Sequence, residues 1–209
     1  MRRVIDDFLP RSYFNEIKQM IENPEFRWNF SSILPEGYNG QTEKDWYFMK
    51  RIYTENEHIE DAFGYWQTIR PMFYFFEEKL NFLTEHVISV NVNSMMNQGR
   101  KRAHGWHNDC PYKHYVALFY INTCNTAPTL FEDGAEVDHI VNRLLFFEGG
   151  DHIDNRHSTN LPLDVERRIA INFNIKVICS KINMYNNHNL CIMKLTDWSY
   201  YALDRTQIH

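Results

Sequence analysis

Residues 104–109 read HGWHND, placing His107 and Asp109 two apart. On an extended strand, residues i and i+2 point to the same side, so this imidazole and this carboxylate could share one metal ion. A lone His-x-Asp pair is more often a turn or a surface hydrogen bond, and the metal reading needs a third ligand. The candidates are His114, His139, His152 and His157. His157, in DNRHSTN, follows the apolar run RLLFFEG and a glycine turn, so it can begin a strand beside the segment that carries His107. Eleven residues further on, Arg168 opens the alternating run RIAINF. Two histidines and one aspartate on a rigid β scaffold form a facial triad that leaves three positions of an octahedral metal open. That arrangement suits Fe(II) binding a co-substrate and O2 together, whereas structural zinc is more often closed by four ligands.

Rival assignments remain at each position. His104 is an odd number of residues from both His107 and Asp109, and on a regular strand it would face the other way. His152 lies in the glycine turn, 16 residues before Arg168. Arg167 competes with Arg168: Arg168, Ala170, Asn172 and Asn174 share one strand face, Arg167, Ile169, Ile171 and Phe173 the other, and parity alone leaves open which face is inward. Cys110 beside Asp109 reads as a small packing residue. The basic run Arg100, Lys101, Arg102 could grip an anionic substrate at the mouth of the site, but such a run is more often a solvated hairpin.

The elements that must position these residues fall into two blocks. VIDDFLP (4–10) predicts a first strand. RSYFNEIKQMIEN (11–23) then spaces Phe14, Ile17, Met20 and Ile21 as one helix face, with Ser12 as candidate cap. Residues 24–56 read as irregular. A second helical region spans about 58–80, kinked or divided at Pro71; its seven aromatic rings are best used against a sheet. From residue 86 the pattern turns to strands: HVISVNVNSM, HYVALFYIN, PTLFED, AEVDHI, RLLFFEG and RRIAINFNIKVI, with turns at NTAP (125–128) and EGGDHIDN (148–155). Many short strands after two helices predict an antiparallel sandwich or barrel with helices on one face. The tail after residue 179 is polar and carries no motif.

Bulk properties narrow the class. The 209 residues include 44% hydrophobic, 15% aromatic and 23% charged, enough apolar surface to close a core without disulfides. Four scattered cysteines (Cys110, Cys124, Cys179, Cys191) form no CxxC, favouring free thiols in a reducing compartment. No apolar segment follows the two N-terminal arginines as in a secretory signal, and none has the length of a membrane span. The expectation is a cytoplasmic protein with no membrane partner. A net charge of −5 disfavours nucleic acid as a partner.

From VIDDFLP to about Ile178 the chain resembles the 2-oxoglutarate/Fe(II)-dependent dioxygenase superfamily, and within it the prolyl 4-hydroxylase-like branch. The resemblance is carried by H-N-D (107–109), FYIN (119–122), RLLFFEGGDHIDNRH (143–157) and RRIAINF (167–173). It implies a mainly β fold with N-terminal helices: a double-stranded β-helix (jelly-roll, cupin-like) core over about 86–178, supported by 1–85, in one domain spanning 1–209. It implies His107, Asp109 and His157 as catalytic iron ligands. Arg168 matches the basic residue at the far end of the oxoglutarate pocket, where a guanidinium can grip a carboxylate bidentately. Tyr120 matches a tyrosine that contacts the same carboxylate in some relatives. One departure stands out: relatives usually carry a tyrosine then a glycine upstream of HxD, whereas Met95, Met96 or Asn97 takes that place here.

The expected activity is therefore 2-oxoglutarate-, Fe(II)- and O2-dependent hydroxylation of a C–H bond, with ascorbate as an optional reductant. Retention of Asp109 leaves no coordination site vacated for halide, which favours hydroxylation over halogenation. The implied substrate is a peptidyl residue, proline-like by default, or a small molecule. The alternative is a jelly-roll metal module that binds zinc or turns nothing over.

Overall fold

The computed structural model describes residues 2–32, 46–100, 105–150 and 155–178. His104, His152, Lys101, Arg102, Cys179, Cys191 and the tail after 179 lie outside them. Strand β1 (Arg2–Ile5) leads into helix α1 (Arg11–Glu22), then β2 (Asn29–Ser32) and β3 (Trp46–Thr54). Helices α2 (Phe63–Ile69) and α3 (Met72–Leu80) follow. Strands β4 (Thr84–Met96), β5 (His114–Tyr120), β6 (Cys124–Phe131), β7 (Glu136–His139), β8 (Leu144–Gly149), β9 (His157–Thr159) and β10 (Arg167–Val177) complete the described chain. No helix among the described residues is long and apolar enough to cross a membrane.

Two antiparallel sheets form. The larger has the order β1-β8-β5-β10-β4-β3-β2, the smaller β7-β6-β9. Val116, Leu118, Tyr120, Leu145, Phe147 and Ala170 of the large sheet pack on Phe131 of the small one. This is the expected double-stranded β-helix, with the helices on the opposite face of the large sheet. There Val90 and Val92 of β4 and Ile169, Ile171, Phe173 and Ile175 of β10 meet Phe14 and Ile17 of α1 and Met72, Phe73 and Phe76 of α3. The contact is aromatic at its centre: Phe173 meets Phe76 edge-on at 4.9 Å and Phe73 at 5.7 Å, and Phe8 stacks on Phe76 at 5.5 Å.

Several local expectations change. Pro71 divides the second helical region by capping α3, because its fixed φ suits a helix start and it has no N–H to offer a preceding turn. Pro10, not Ser12, is the cap of α1. The stretch 24–56 holds β2 and β3; YFMKRIYT is partly apolar on both faces, which hides the two-residue period. These strands and β1 extend the large sheet well outside the 86–178 window. NTAP lies within β6 rather than in a turn, since Asp164 accepts hydrogen bonds from the backbone N–H of Asn125 and from the Thr126 hydroxyl, pinning the segment flat. Of the helical aromatics, Phe73 and Phe76 are buried, but Phe63 and Tyr74 face solvent.

This division predicts unequal costs of truncation. Phe76→Ala, at the junction of three ring contacts, should destabilise by about 3–5 kcal/mol, and Phe63→Ala by no more than about 0.5 kcal/mol. Urea denaturation of the two variants checks the contrast.

Candidate metal centre and its cleft

His107 and His157 are joined by the backbone before their side chains meet. Each donates its N–H to the other's carbonyl, at 3.1 and 3.0 Å, as an antiparallel bridged pair. His157 starts β9, whereas His107 sits on an isolated bridge and Asp109 in the bend that follows. The extended strand expected for H-N-D is thus reduced to one bridged residue. The imidazole rings lie 4.4 Å apart. Asp109 Oδ1 is 3.7 Å from His107 Nε2 and 3.9 Å from His157 Nε2, and one donor atom from each of the three fits within 4.8 Å. Two imidazole nitrogens and a carboxylate oxygen at that spacing can hold one metal ion.

The protonation states suit ligation. Burial pulls the His157 imidazole down to about 3, so it is neutral at physiological pH. Burial would raise the Asp109 carboxyl, but His157, His107 and the N–H of Asn172 together hold it below the ordinary carboxylate value. A neutral imidazole and an ionised carboxylate are the forms that bind metals. Asn172 Nδ2 donates to Asp109 Oδ2 at 3.1 Å, and His107 Nδ1 is 3.0 Å from the carbonyl of Gly105. Both contacts orient ligands from behind.

A cleft of about 640 Å³ opens over these residues. The question of parity on β10 has a clear answer: Arg168, Ala170, Asn172 and Asn174 line the cleft, while Ile169, Ile171 and Phe173 face the helices. Arg167 lies outside the cleft lining. The Arg168 side chain is buried; Nε donates to the Ala127 carbonyl and Nη2 to Thr129 Oγ1, both at 3.0 Å. The guanidinium stands 5.5 Å from the Tyr120 ring. It forms no ion pair with a carboxylate among the described residues. His114 and His139, the other described histidine candidates, stand apart from the group of three. His114 lies against Gly149 with Nδ1 on the Tyr112 carbonyl, and the His139 ring packs tilted against Tyr120.

Tyr120 is fully buried, its hydroxyl lies 2.8 Å from Thr129 Oγ1, and Thr129 lines the cleft. Thr129 therefore accepts a hydrogen bond from Arg168 and shares another with the Tyr120 hydroxyl, a role that no spacing in the sequence announces. Met95, paired in register with Arg168, lines the cleft. Arg100, the described member of the basic run, reaches Gln98 Oε1 at 3.3 Å.

No protein-family model matches the sequence, and no curated protein matches it significantly; the likeness is carried by structure. The chain superposes on a Trichoplax adhaerens prolyl hydroxylase in complex with a peptide fragment of a hypoxia-inducible factor degradation domain, with TM-score 0.54 and 18% identity over 84% of this chain and 83% of that one. It is similar to a 2OG-Fe(II) oxygenase family oxidoreductase from Burkholderia pseudomallei, with TM-score 0.57 and 9% identity over 84% of both chains. A third match is the non-heme alpha-ketoglutarate-dependent epimerase SnoN of nogalamycin biosynthesis, at 0.54 and 9% over 84% and 78%. The fold of the chain is thus that of the 2-oxoglutarate/Fe(II) oxygenases, prolyl hydroxylases among them.

The polar interior predicts a specific acid sensitivity. Burial, with Arg168 nearby, holds the His139 imidazole well below its ordinary value. Unfolded, it would take a proton near pH 6.5. Its contribution to stability is therefore complete above about pH 6.5 and is lost as pH falls further. As pH falls below 6.5 the unfolding free energy of His139→Gln should fall less steeply than the parent's, by up to about 1.4 kcal/mol per pH unit. Urea titrations at stepped pH measure the two slopes, and parallel curves would contradict the neutral buried imidazole.

Proposed function

We propose that the protein is a 2-oxoglutarate- and Fe(II)-dependent oxygenase that hydroxylates a C–H bond. His107, Asp109 and His157 hold the iron, and Arg168 holds the far carboxylate of 2-oxoglutarate. The observation that carries the reading is the buried Arg168 guanidinium. It opens on the same cleft as the three metal-binding side chains and has no carboxylate partner among the described residues. A buried cation is costly unless an anion meets it, and a dicarboxylate bound between triad and guanidinium would do so. Thr129 sets the tilt of the guanidinium, and Tyr120 holds Thr129 in place. Asn172 keeps Asp109 ionised and aimed, and Met95 lines the cleft in register with Arg168.

Iron, 2-oxoglutarate and O2 together supply the oxidation: R–H becomes R–OH, and the co-substrate leaves as succinate and CO2. The chain's share is to bind, to orient and to keep the co-substrate end dry. The peptide in the Trichoplax complex supports a peptidyl substrate here over a small molecule.

The experiment is a set of single substitutions. His107→Ala and His157→Ala should each abolish Fe(II) binding with the fold retained. Arg168→Ala should keep iron but weaken 2-oxoglutarate by about two orders of magnitude or more, as expected when one side of a buried charge pair is removed. Arg168→Lys should recover part of that loss, keeping charge without the bidentate fork. Anaerobic titration, read from the metal-to-ligand charge-transfer band, measures both affinities. Unchanged 2-oxoglutarate affinity in Arg168→Ala would remove the co-substrate reading.

A further inference from the structure

The bend that carries Asp109 has little main-chain support of its own. No residue from Asn108 to Tyr112 shares a backbone–backbone hydrogen bond with another described residue. The upstream end is fixed by the His107–His157 bridge, and Asn172 reaches the carboxylate itself. Downstream, three side-chain contacts are available to hold the bend. Lys113 pairs with Glu148 at 3.1 Å, but its side chain is 73% exposed, and an exposed ion pair contributes little. The Tyr112 hydroxyl reaches Glu55 Oε1 only at 3.4 Å, from a residue that is 40% exposed. The third contact is buried. His114 Nδ1 lies 2.8 Å from the Tyr112 carbonyl, and His114 is 1% exposed.

A carbonyl only accepts, so Nδ1 carries the hydrogen and donates it. Nε2 is buried without a partner, which leaves the bond to Tyr112 as the polar tie of this ring among the described residues. Two glycines make room for it. His114 pairs in register with Gly149 across β5 and β8, and its imidazole fills the space where a side chain at 149 would begin. A Cβ there would stand 2.4 Å from Cε1 and 2.5 Å from Nε2. Gly150, at φ +133°, backs the same turn: a Cβ on it would stand 3.4 Å from Lys113 Cα and 3.5 Å from the Tyr112 carbonyl oxygen. Only glycine adopts that φ freely. The seated ring is near enough to bear electrostatically on both Asp109 and His157, although it stands outside the group of three donors.

Resting on the function proposed above, we propose that His114 is a positioning residue for the iron site. Through the Tyr112 carbonyl it fixes the bend that aims Asp109, and Gly149 with Gly150 form the socket that seats its ring. His114 acts through Asp109 alone, so its loss falls on the metal rather than on the co-substrate carboxylate, which Arg168 holds from the other end of the cleft.

The test compares His114→Ala, His114→Gln and His114→Asn in the full chain. Competition with a chromophoric chelator under anaerobic conditions reads Fe(II) affinity. The charge-transfer band at saturating Fe(II) reads 2-oxoglutarate affinity. His114→Ala and His114→Gln should each weaken Fe(II) about tenfold, the scale of one lost buried hydrogen bond, with 2-oxoglutarate affinity unchanged. His114→Asn should keep the parent's Fe(II) affinity, because its short amide sets an N–H where Nδ1 stood, whereas the longer Gln sets it near Nε2. The Asn and Gln pair carries the contrast on its own should His114→Ala fail to fold. Gly149→Ala should weaken Fe(II) in the parent but not in the His114→Asn background, where Cε1 and Nε2 no longer fill the space of the added Cβ; such non-additivity marks a shared contact. Three results would each overturn the proposal: Fe(II) affinity indifferent to His114→Gln, an Asn variant as damaged as the Gln variant, or equal losses of Fe(II) and 2-oxoglutarate. Additive effects of Gly149→Ala and His114→Asn would overturn the socket. Failure of the parent to bind Fe(II) at all would instead overturn the functional reading beneath it.

Discussion

The strict alternation of β10, held between β4 and β5, is the constraint on which the rest depends. Its register with both neighbours places every even residue from Arg168 to Asn174 on one face and every odd residue on the other. One face carries Arg, Ala, Asn and Asn; the other carries Ile, Ile, Phe and Ile. A slip by one residue would drive a guanidinium into the aromatic contact under α3 and expose Phe173 to the cleft. The apolar face thus does more than stabilise. The packing of Phe173 between Phe73 and Phe76 fixes where Arg168 and Asn172 must stand.

The small sheet depends on that register for its own geometry. Arg168 reaches across the sandwich to Ala127 and Thr129 of β6, and β6 carries β9 beside it. The first residue of β9, His157, is bridged to His107. A continuous path of backbone and side-chain bonds therefore runs from the guanidinium to the His107–Asp109–His157 group. Burying a cation, a carboxylate and several amides along the cleft costs stability. The aromatic core on the far side of the large sheet offsets it and leaves the cleft free to be polar.

The legible parts of this arrangement are the short-range ones. His107, Asp109, His157 and Arg168 could be picked out because spacing and strand alternation are local properties, and α1 showed a clean 3.6-residue period. Strands β2 and β3 were hidden because their apolar residues sit on both faces. The contribution of Thr129 arises only when β6 is folded over β10, 39 residues away in the chain, and no local pattern encodes that pairing. The asparagines offered a signal that was within reach. In RIAINFNIKV and VNVN a polar amide recurs at every second position opposite Ile, Phe or Val. Such a strand has one face for a core and one face for a ligand.

Division of labour along the cleft follows from which strands supply each end. The guanidinium end is assembled from β6, β9 and the start of β10, and β9 also carries His157 against His107; a change there would disturb both. The opposite end draws on β3, β4 and the outer half of β10, from which Asn172 reaches Asp109. Substitutions on that wall can alter what is bound while leaving Arg168, Thr129 and the bridged histidines in place. Asn172 is shared by both ends, since it lines the cleft from β10 and gives its N–H to Asp109. A substitution at Asn172 therefore reaches the Asp109 carboxylate as well as the wall of the cleft.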